Sequence, residues 1–212
     1  MNVMVFTPVY RLEPETVTAI MRLEHDGPMT LVMQRDNPHE DGRENVLHQY
    51  RRGRNLFLQG DYDAMLIIES DIVPPSDALQ KLIALDADCA YGVYRFRKTN
   101  IINIFERYPD KNGNPPRNEG ESLSLHPAKL AQAQRDGVTK CSGAGLGCIL
   151  IKRHVLERFE FWHEPTGGHC DTYFNRAVLQ AGMVQLADMT IICGHIDERR
   201  TLWLPDEQPE RL

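Results

Sequence analysis

Short, wholly apolar runs alternate with longer amphipathic stretches through the first half of the chain. Residues 2–7 (NVMVFT), 29–34 (MTLVMQ), 64–68 (AMLII) and 89–96 read as strands. They are apolar on both faces, which fits a sheet covered on both sides. Between them, 14–25 sets Val17, Ile20 and Met21 at helical spacing behind Pro14. Residues 43–59 gather Val46, Leu47, Tyr50 and Leu58 on one helical face, and 75–85 predicts a third helix. Strand, helix, strand and helix with short connections predict a parallel sheet with right-handed crossovers.

The second half is less regular. Residues 106–122 (ERYPDKNGNPPRNEGES) and 164–169 (EPTGGH) read as loops, rich in Gly, Pro and polar residues. Residues 127–135 and 170–181 predict helices, the latter stopped by Gly182. Strands are expected at 138–141, 147–152, 184–187 and 190–193. The whole reads as one domain over 1–196, followed by a polar and poorly ordered tail over 197–212.

Composition narrows the class of protein. The 212 residues carry 24 Lys and Arg against 30 Asp and Glu, a net charge of -6. General nucleic-acid binding is disfavoured by that balance. No apolar run approaches the ~20 residues of a membrane span. The apolar start, interrupted by Pro8 and Arg11, does not read as a signal peptide. Five cysteines, an odd and scattered set, argue against a disulfide framework and for a reduced, cytoplasmic protein.

Candidate chemistry starts at Glu69-Ser70-Asp71. The same acid-x-acid spacing occurs at Glu13/Glu15, Glu24/Asp26, Asp61/Asp63, Asp86/Asp88 and Glu119/Glu121, so spacing alone says nothing. The 69/71 pair alone directly follows a five-residue apolar run. It therefore falls at the carboxyl end of a central strand, where open α/β sheets bind ligands. Carboxylates there suit Mg²⁺ or Mn²⁺ with positions open to phosphate oxygens; the bland role is a cap for the next helix. His195 ends the apolar run 191–193 and could complete such a shell if it meets Asp71. Asp171 opens a helix, where a carboxylate serves either as N-cap or as a general base. Cys170 and His169 with Cys193 and His195 form a zinc set of unsuitable spacing. Residues 142–147 (SGAGLG) precede a strand instead of a helix, so they fail as a dinucleotide fingerprint. Their glycines would let backbone approach a ligand closely.

In this order these pieces resemble the GT-A family of nucleotide-sugar glycosyltransferases, over residues 2–196. Phe6-Thr7-Pro8-Val9-Tyr10 is similar to the strand-end segment that cradles the base. Gln34, Arg35, Asp36 and Asn37 follow the second strand, where such enzymes contact the base, and Arg51, Arg54 and Asn55 lie on the helix passing the nucleotide. Ile68-Glu69-Ser70-Asp71 resembles the DXD motif with Glu in its first position, and Cys170-Asp171 resembles the ED motif with Cys in place of Glu. Residues 142–153 are similar to the glycine-rich acceptor-side segment, and Cys193-Gly194-His195 to the late metal-ligating His.

The resemblance implies an α/β GT-A fold, Rossmann-like, with a mostly parallel central sheet and a small antiparallel acceptor-side portion. It implies a UDP- or GDP-sugar donor, Mn²⁺ or Mg²⁺ on Asp71, His195 and Glu69, and Asp171 as base in an inverting transfer. Thr7, Pro8, Val9, Arg11, Arg35, Asn37, Arg51, Arg54, Asn55, Glu69 and Ser70 would face the nucleotide. Gly143, Ala144, Gly145 and Trp162 would face an acceptor of unknown identity. Loops 106–122 and 164–169 would close over the donor and exclude water. Three other classes compete: a nucleotidyltransferase, although no glycine-rich loop follows the first strand; a non-catalytic nucleotide- or sugar-binding module; and a glycosyltransferase of modified DNA bases, which the acidic net charge does not favour.

Overall fold

The computed structural model describes residues 1–99, 101–106, 123–124, 127–165, 168–205 and 208–212. The first half alternates as its apolar pattern dictates. Strand β1 (Val3–Pro8) leads to α1 (Pro14–Met21), β2 (Met29–Gln34), α2 (Gly42–Gln59) and β3 (Ala64–Ile68). A short β4 (Ile72–Val73), α3 (Ala78–Ala84) and β5 (Cys89–Val93) follow. Asp41 caps α2 by accepting the main-chain N–H of Arg43, and α2 packs its Leu47, Tyr50, Gly53 and Phe57 face inward. Gly53 permits close approach: a Cβ there would stand 2.6 Å from the ring of buried Phe6.

Beyond β5 come β6 (Ile104–Glu106), β7 (Leu123–Ser124), α4 (Pro127–Asp136), β8 (Val138–Lys140), β9 (Gly143–Ala144) and β10 (Cys148–Lys152). Helices α5 (Arg153–Arg158) and α6 (Cys170–Gln180) precede β11 (Gln185–Ile192), β12 (Gly194–Ile196), β13 (Thr201–Trp203) and β14 (Glu210–Arg211). The central sheet has seven strands in the order β2-β1-β3-β10-β5-β11-β8. Strands β2, β1, β3, β5 and β11 run one way, while β10 and β8 run against them. Two antiparallel sheets complete the molecule, β14-β13-β12-β4 and β7-β6-β9. Buried side chains form apolar clusters such as Phe6, Tyr50, Phe57 and Phe161, and Val5, Leu66, Leu79 and Leu150.

The structure departs from the sequence reading in three places. Strand β10 inserts antiparallel between β3 and β5, pairing Ile149 with both Ile67 and Tyr91, so the first-half strands do not form an uninterrupted parallel sheet. An apolar run such as CILI has no direction of its own, and only tertiary packing sets it. The runs expected at 184–187 and 190–193 merge into β11, with a register shift between Ala187 and Ile192. The segment after Ile196 is no loose tail. Strand β13 pairs with β12, and β14 pairs with β13. Asp197 is buried and accepts the main-chain N–H groups of Arg199 and Thr201 and the indole N–H of Trp203. Arg11 donates to the carbonyls of Asp197 and Glu198, tying the end of β1 to the same turn. Those hydrogen bonds satisfy a polar stretch that hydropathy alone reads as solvent-exposed.

The contact of Gly53 with Phe6 generates a prediction. Gly53→Ala overpacks the α2–β1 contact and should cost roughly 1–3 kcal/mol. Urea unfolding should show a lower midpoint at unchanged slope. An unchanged midpoint would mean that α2 does not lie this close to β1.

Candidate functional site

The chain leaves β3 at Ile68 and turns at once. The carbonyl of Glu69 accepts the N–H of Ile72, and β4 begins. Strand β4 is held antiparallel to β12, with Ile72 opposite His195 and Val73 opposite Gly194. The N–H of Ile196 also donates to the carbonyl of Asp71 at 2.8 Å. This pairing joins residues more than a hundred positions apart and sets the Asp71 side chain against His195. Asp71 Oδ2 lies 3.7 Å from His195 Nε2 and 3.0 Å from Arg97 Nη1.

The proton on His195 can be assigned from its partners. Nδ1 lies 2.9 Å from the main-chain oxygen of Arg95. A carbonyl can only accept, so Nδ1 carries hydrogen; Nε2, the ring nitrogen that faces Asp71, donates to the carboxylate when it too carries hydrogen and offers a lone pair to a cation when it does not. The ring is nearly buried and stands edge-on to Tyr94, with centroids 5.3 Å apart. Two donor atoms bound to one small dication at ~2.1 Å lie roughly 3–4 Å apart, and the separation here falls in that range. The chemistry also fits: one carboxylate and one oriented imidazole, with remaining positions for water and phosphate oxygens. Among the described residues no three His, Cys, Asp or Glu side chains gather into a ready-made metal cage.

Glu69 has partners of its own. Its Oε1 accepts the Tyr50 hydroxyl at 2.7 Å, and its main-chain N–H donates to the carbonyl of Gly147. Burial, followed by the charge of Asp71, pushes its carboxyl up to about 7; the Tyr50 hydroxyl and His195 pull the other way. Burial also works against Asp71, but there His195 and the Arg97 guanidinium outweigh it and hold the carboxyl below its ordinary range. Neighbouring carboxylates are thus split, one toward the protonated form and one firmly ionised.

Asp171 sits in the first turn of α6, whose N-cap is His169 and not Asp171. Its Oδ1 accepts the N–H of Thr172 at 2.7 Å. Its charge helps raise the ionisations of Glu69 and Tyr94, which places it within electrostatic reach of the 69–71 turn. Tyr94 lies amid these acids: burial first, then Glu69, Asp171 and Asp71, drive its hydroxyl well above the usual tyrosine range. Beside α6, Trp162 is 42% exposed and packs on Tyr173 with ring centroids 4.5 Å apart, so it is an aromatic step at the surface and not core filling.

The remaining candidates divide. Thr7, Pro8 and Val9 are buried at the carboxyl end of β1, and Thr7 Oγ1 is buried without a partner. Val9 is bound on both sides by Gln49 of α2, and its carbonyl also accepts from Asn37. Arg35 is exposed at the end of β2, and Ser70 is buried in the 69–71 turn. Other arginines expected at the nucleotide are committed elsewhere. Arg11 pairs with Glu13 and the Asp197–Glu198 carbonyls. Arg51 donates to the carbonyl of Phe161, and Arg54 to those of Leu156 and Phe159. Guanidinium groups satisfy such clustered carbonyls well, which a sequence cannot foresee. Asn55 is exposed, as are neighbouring Arg51, Arg52 and Leu56, on the outer face of α2.

The 142–147 segment also differs from expectation. Gly143, Ala144 and Gly145 are all buried, and protein groups take the space expected for an acceptor. Gly143 has φ +145° and a Cβ there would stand 2.5 Å from Asn175, while one at Gly145 would collide with the Tyr94 hydroxyl. Asn175 donates to the carbonyl of Ala144, and Tyr91, Asn175 and Gln185 complete a buried polar network. The zinc set also fails. Among the described residues no three His, Cys, Asp or Glu side chains come together, so Cys170, His169, Cys193 and His195 do not assemble as a set. The loop expectations for 107–122 and for 166–167 lie outside the described residues.

Sequence reasoning missed Tyr50, Tyr94, Arg97 and Gln49. A signal existed for the tyrosines: a phenol on an inward helical face or at a buried strand end needs a polar partner. Nothing local marks Arg97.

No protein-family model matches the chain, and no curated protein matches it by sequence. Among solved structures it is similar to the crystal structure of A197 from STIV, with TM-score 0.66 at 19% identity, covering 99% of this chain and 93% of that one. It is also similar to GalNAc-T7 crystallised with UDP, GalNAc and Mn²⁺, with TM-score 0.56 at 11% identity, covering 93% of this chain and 44% of that one. At these identities the likeness is one of fold. The chain has a GT-A-like fold, a mixed α/β architecture around a mostly parallel seven-stranded sheet. Among the described residues no helix is long and apolar enough to cross a membrane.

The raised Glu69 carboxyl has a consequence for stability. Its folded value of about 7 lies above the 4.5 of an unperturbed glutamate. Folding therefore favours the protonated form, so its contribution is complete below about pH 4.5 and is lost as pH rises through 7. Relative to Glu69→Gln, the wild type in chelator should lose up to roughly 3 kcal/mol over that window. Chemical unfolding of both proteins at several pH values checks this. Parallel pH curves would show Glu69 to be unperturbed.

Proposed function

We propose that the protein is a metal-dependent glycosyltransferase that moves a sugar from a nucleoside-diphosphate donor to an acceptor hydroxyl. The observation that carries this reading is the Asp71–His195 pair at the carboxyl end of the central sheet, with His195 Nδ1 engaged by a carbonyl and Nε2 turned to the carboxylate. The GT-A-like fold and the UDP and Mn²⁺ in the GalNAc-T7 structure support the choice of donor and metal.

Asp71 and His195 would hold Mn²⁺ or Mg²⁺. When bound, the ion supplies Lewis-acid neutralisation of the negative charge that develops on the leaving diphosphate. The nucleotide lies over the carboxyl ends of β1 and β2, near Thr7, Val9, Arg35 and Asn37. Glu69 and Ser70 border the same turn; Glu69, bonded to Tyr50, shapes that border without ligating. Asp171, set in a helix first turn, takes the proton from the acceptor hydroxyl as its oxygen attacks the anomeric carbon. The C–O bond to the diphosphate breaks as the new one forms, and a single displacement of this kind inverts the anomeric centre. Trp162, seated on the buried ring of Tyr173, offers a face on which a sugar ring can stack. Gly143, Ala144 and Gly145 support this side through Asn175 and Tyr94 and do not touch the acceptor.

Thermal unfolding with UDP-, GDP-, dTDP- and CDP-sugars, each with and without Mn²⁺, tests the reading. Stabilisation should require nucleotide and metal together. Asp71→Asn should remove the metal-dependent part. Asp171→Asn should keep it while slowing transfer about 10²–10⁴-fold. Stabilisation by no nucleotide with any metal, or full transfer by Asp171→Asn, would overturn the proposal.

A further inference from the structure

Arg97 is the least expected member of the site. It lies beyond β5 in a turn whose base is fixed. The Asn103 side chain accepts the N–H of Tyr94 and donates to the carbonyl of Gly92. The carbonyl of Phe96 accepts the N–H of Thr99, and Lys98 takes a left-handed φ of +60°. Main-chain Arg95 in this turn orients His195. The same short segment therefore fixes one half of the proposed metal pair through its backbone and touches the other half through Arg97.

The Arg97 guanidinium binds the Asp71 oxygen that faces His195, and its side chain is 40% exposed. A dication on that oxygen would meet a full positive charge a few ångströms away, so both cannot favourably stay. Exposure lets Arg97 leave without unpacking the core. The neighbouring cations are occupied: Lys98 pairs with Glu198, and Arg95 lies over Trp203 with its Nε on the carbonyl of Thr99. A guanidinium displaced from Asp71 stays beside whatever phosphate the ion carries, and its planar fork matches two phosphate oxygens.

We infer that Arg97 is a two-position cation, holding Asp71 while the divalent ion is absent and turning to the donor's diphosphate once the ion is bound. This rests on the glycosyltransferase reading, and it assigns a diphosphate contact to a residue that borders the proposed metal pair. One residue then opposes metal alone and favours metal with nucleotide, which makes the two ligands bind as a set.

Calorimetric titration separates the two positions. Mn²⁺ alone, and then UDP in saturating Mn²⁺, are titrated into wild type, Arg97→Met and Arg97→Lys, with unfolding midpoints as a check on folding. Arg97→Met should bind Mn²⁺ alone roughly three- to tenfold more tightly, and UDP with Mn²⁺ roughly tenfold more weakly. Arg97→Lys should fall between it and wild type in both titrations. These opposite signs are not produced by a merely structural role. If wild type binds UDP with Mn²⁺ but Arg97→Met fails to shift either affinity in the stated direction, the Arg97 inference falls and the glycosyltransferase reading stands. If wild type binds no UDP with Mn²⁺, the same titrations are run with GDP, dTDP and CDP, and if none of these binds, both fall.

Discussion

The antiparallel pairing of β4 with β12 is the constraint on which the site depends. Strand β4 is only Ile72–Val73, yet its bonds to Gly194 and His195 bring the exit of β3 against the end of β11. Without it, Asp71 is an acid on a turn and His195 a histidine at the end of an apolar strand. Strand β13 then pairs with the other edge of β12, and Asp197 gathers the turn between them. The carboxyl-terminal segment thereby buttresses the strand that presents His195. Two short strands can hold this contact because each closely follows a strand of the buried central sheet, β4 after β3 and β12 after β11, and the register of that sheet is fixed by side chains packed on both faces.

Electrostatics make this an expensive place in the fold. Asp71 and Asp171 push the Glu69 carboxyl up, and all three acids push up the Tyr94 hydroxyl. The structure relieves this by unequal means. Tyr50 gives Glu69 a hydroxyl donor, Arg97 and His195 give Asp71 positive or polarised partners, and Asp171 gains the field of a helix start.

The comparisons fit a division between scaffold and site. Fold likeness at 11% and 19% identity requires only that buried positions remain apolar and of suitable volume. Ile67 and Ile149, which meet across β3 and β10, are positions of this kind. The 69–71 turn, His195 and the segment beginning at Tyr94 depend on particular hydrogen-bonding groups. This is why motif order along the chain pointed toward the fold while overall sequence similarity to curated proteins is absent.

The sequence by itself determined the strands at 29–34 and 64–68, the α2 helix within one residue, and the position of Glu69 and Asp71 at a strand end. Those features follow from local periodicity and from turn chemistry, which act over a few residues. It also marked Asp171 and His195 as worth attention, but not their distances or partners. Tertiary structure alone decided the rest. It placed β10 in the middle of the sheet and folded residues after Ile196 into strands. It spent Arg11, Arg51 and Arg54 on carbonyls, filled the space around Gly143 and Gly145 with Asn175 and Tyr94, and set Arg97 on Asp71. The reason is physical: a hydrogen-bond donor or a glycine has no fixed destination until chain segments distant in sequence offer it one, and those offers are made by packing.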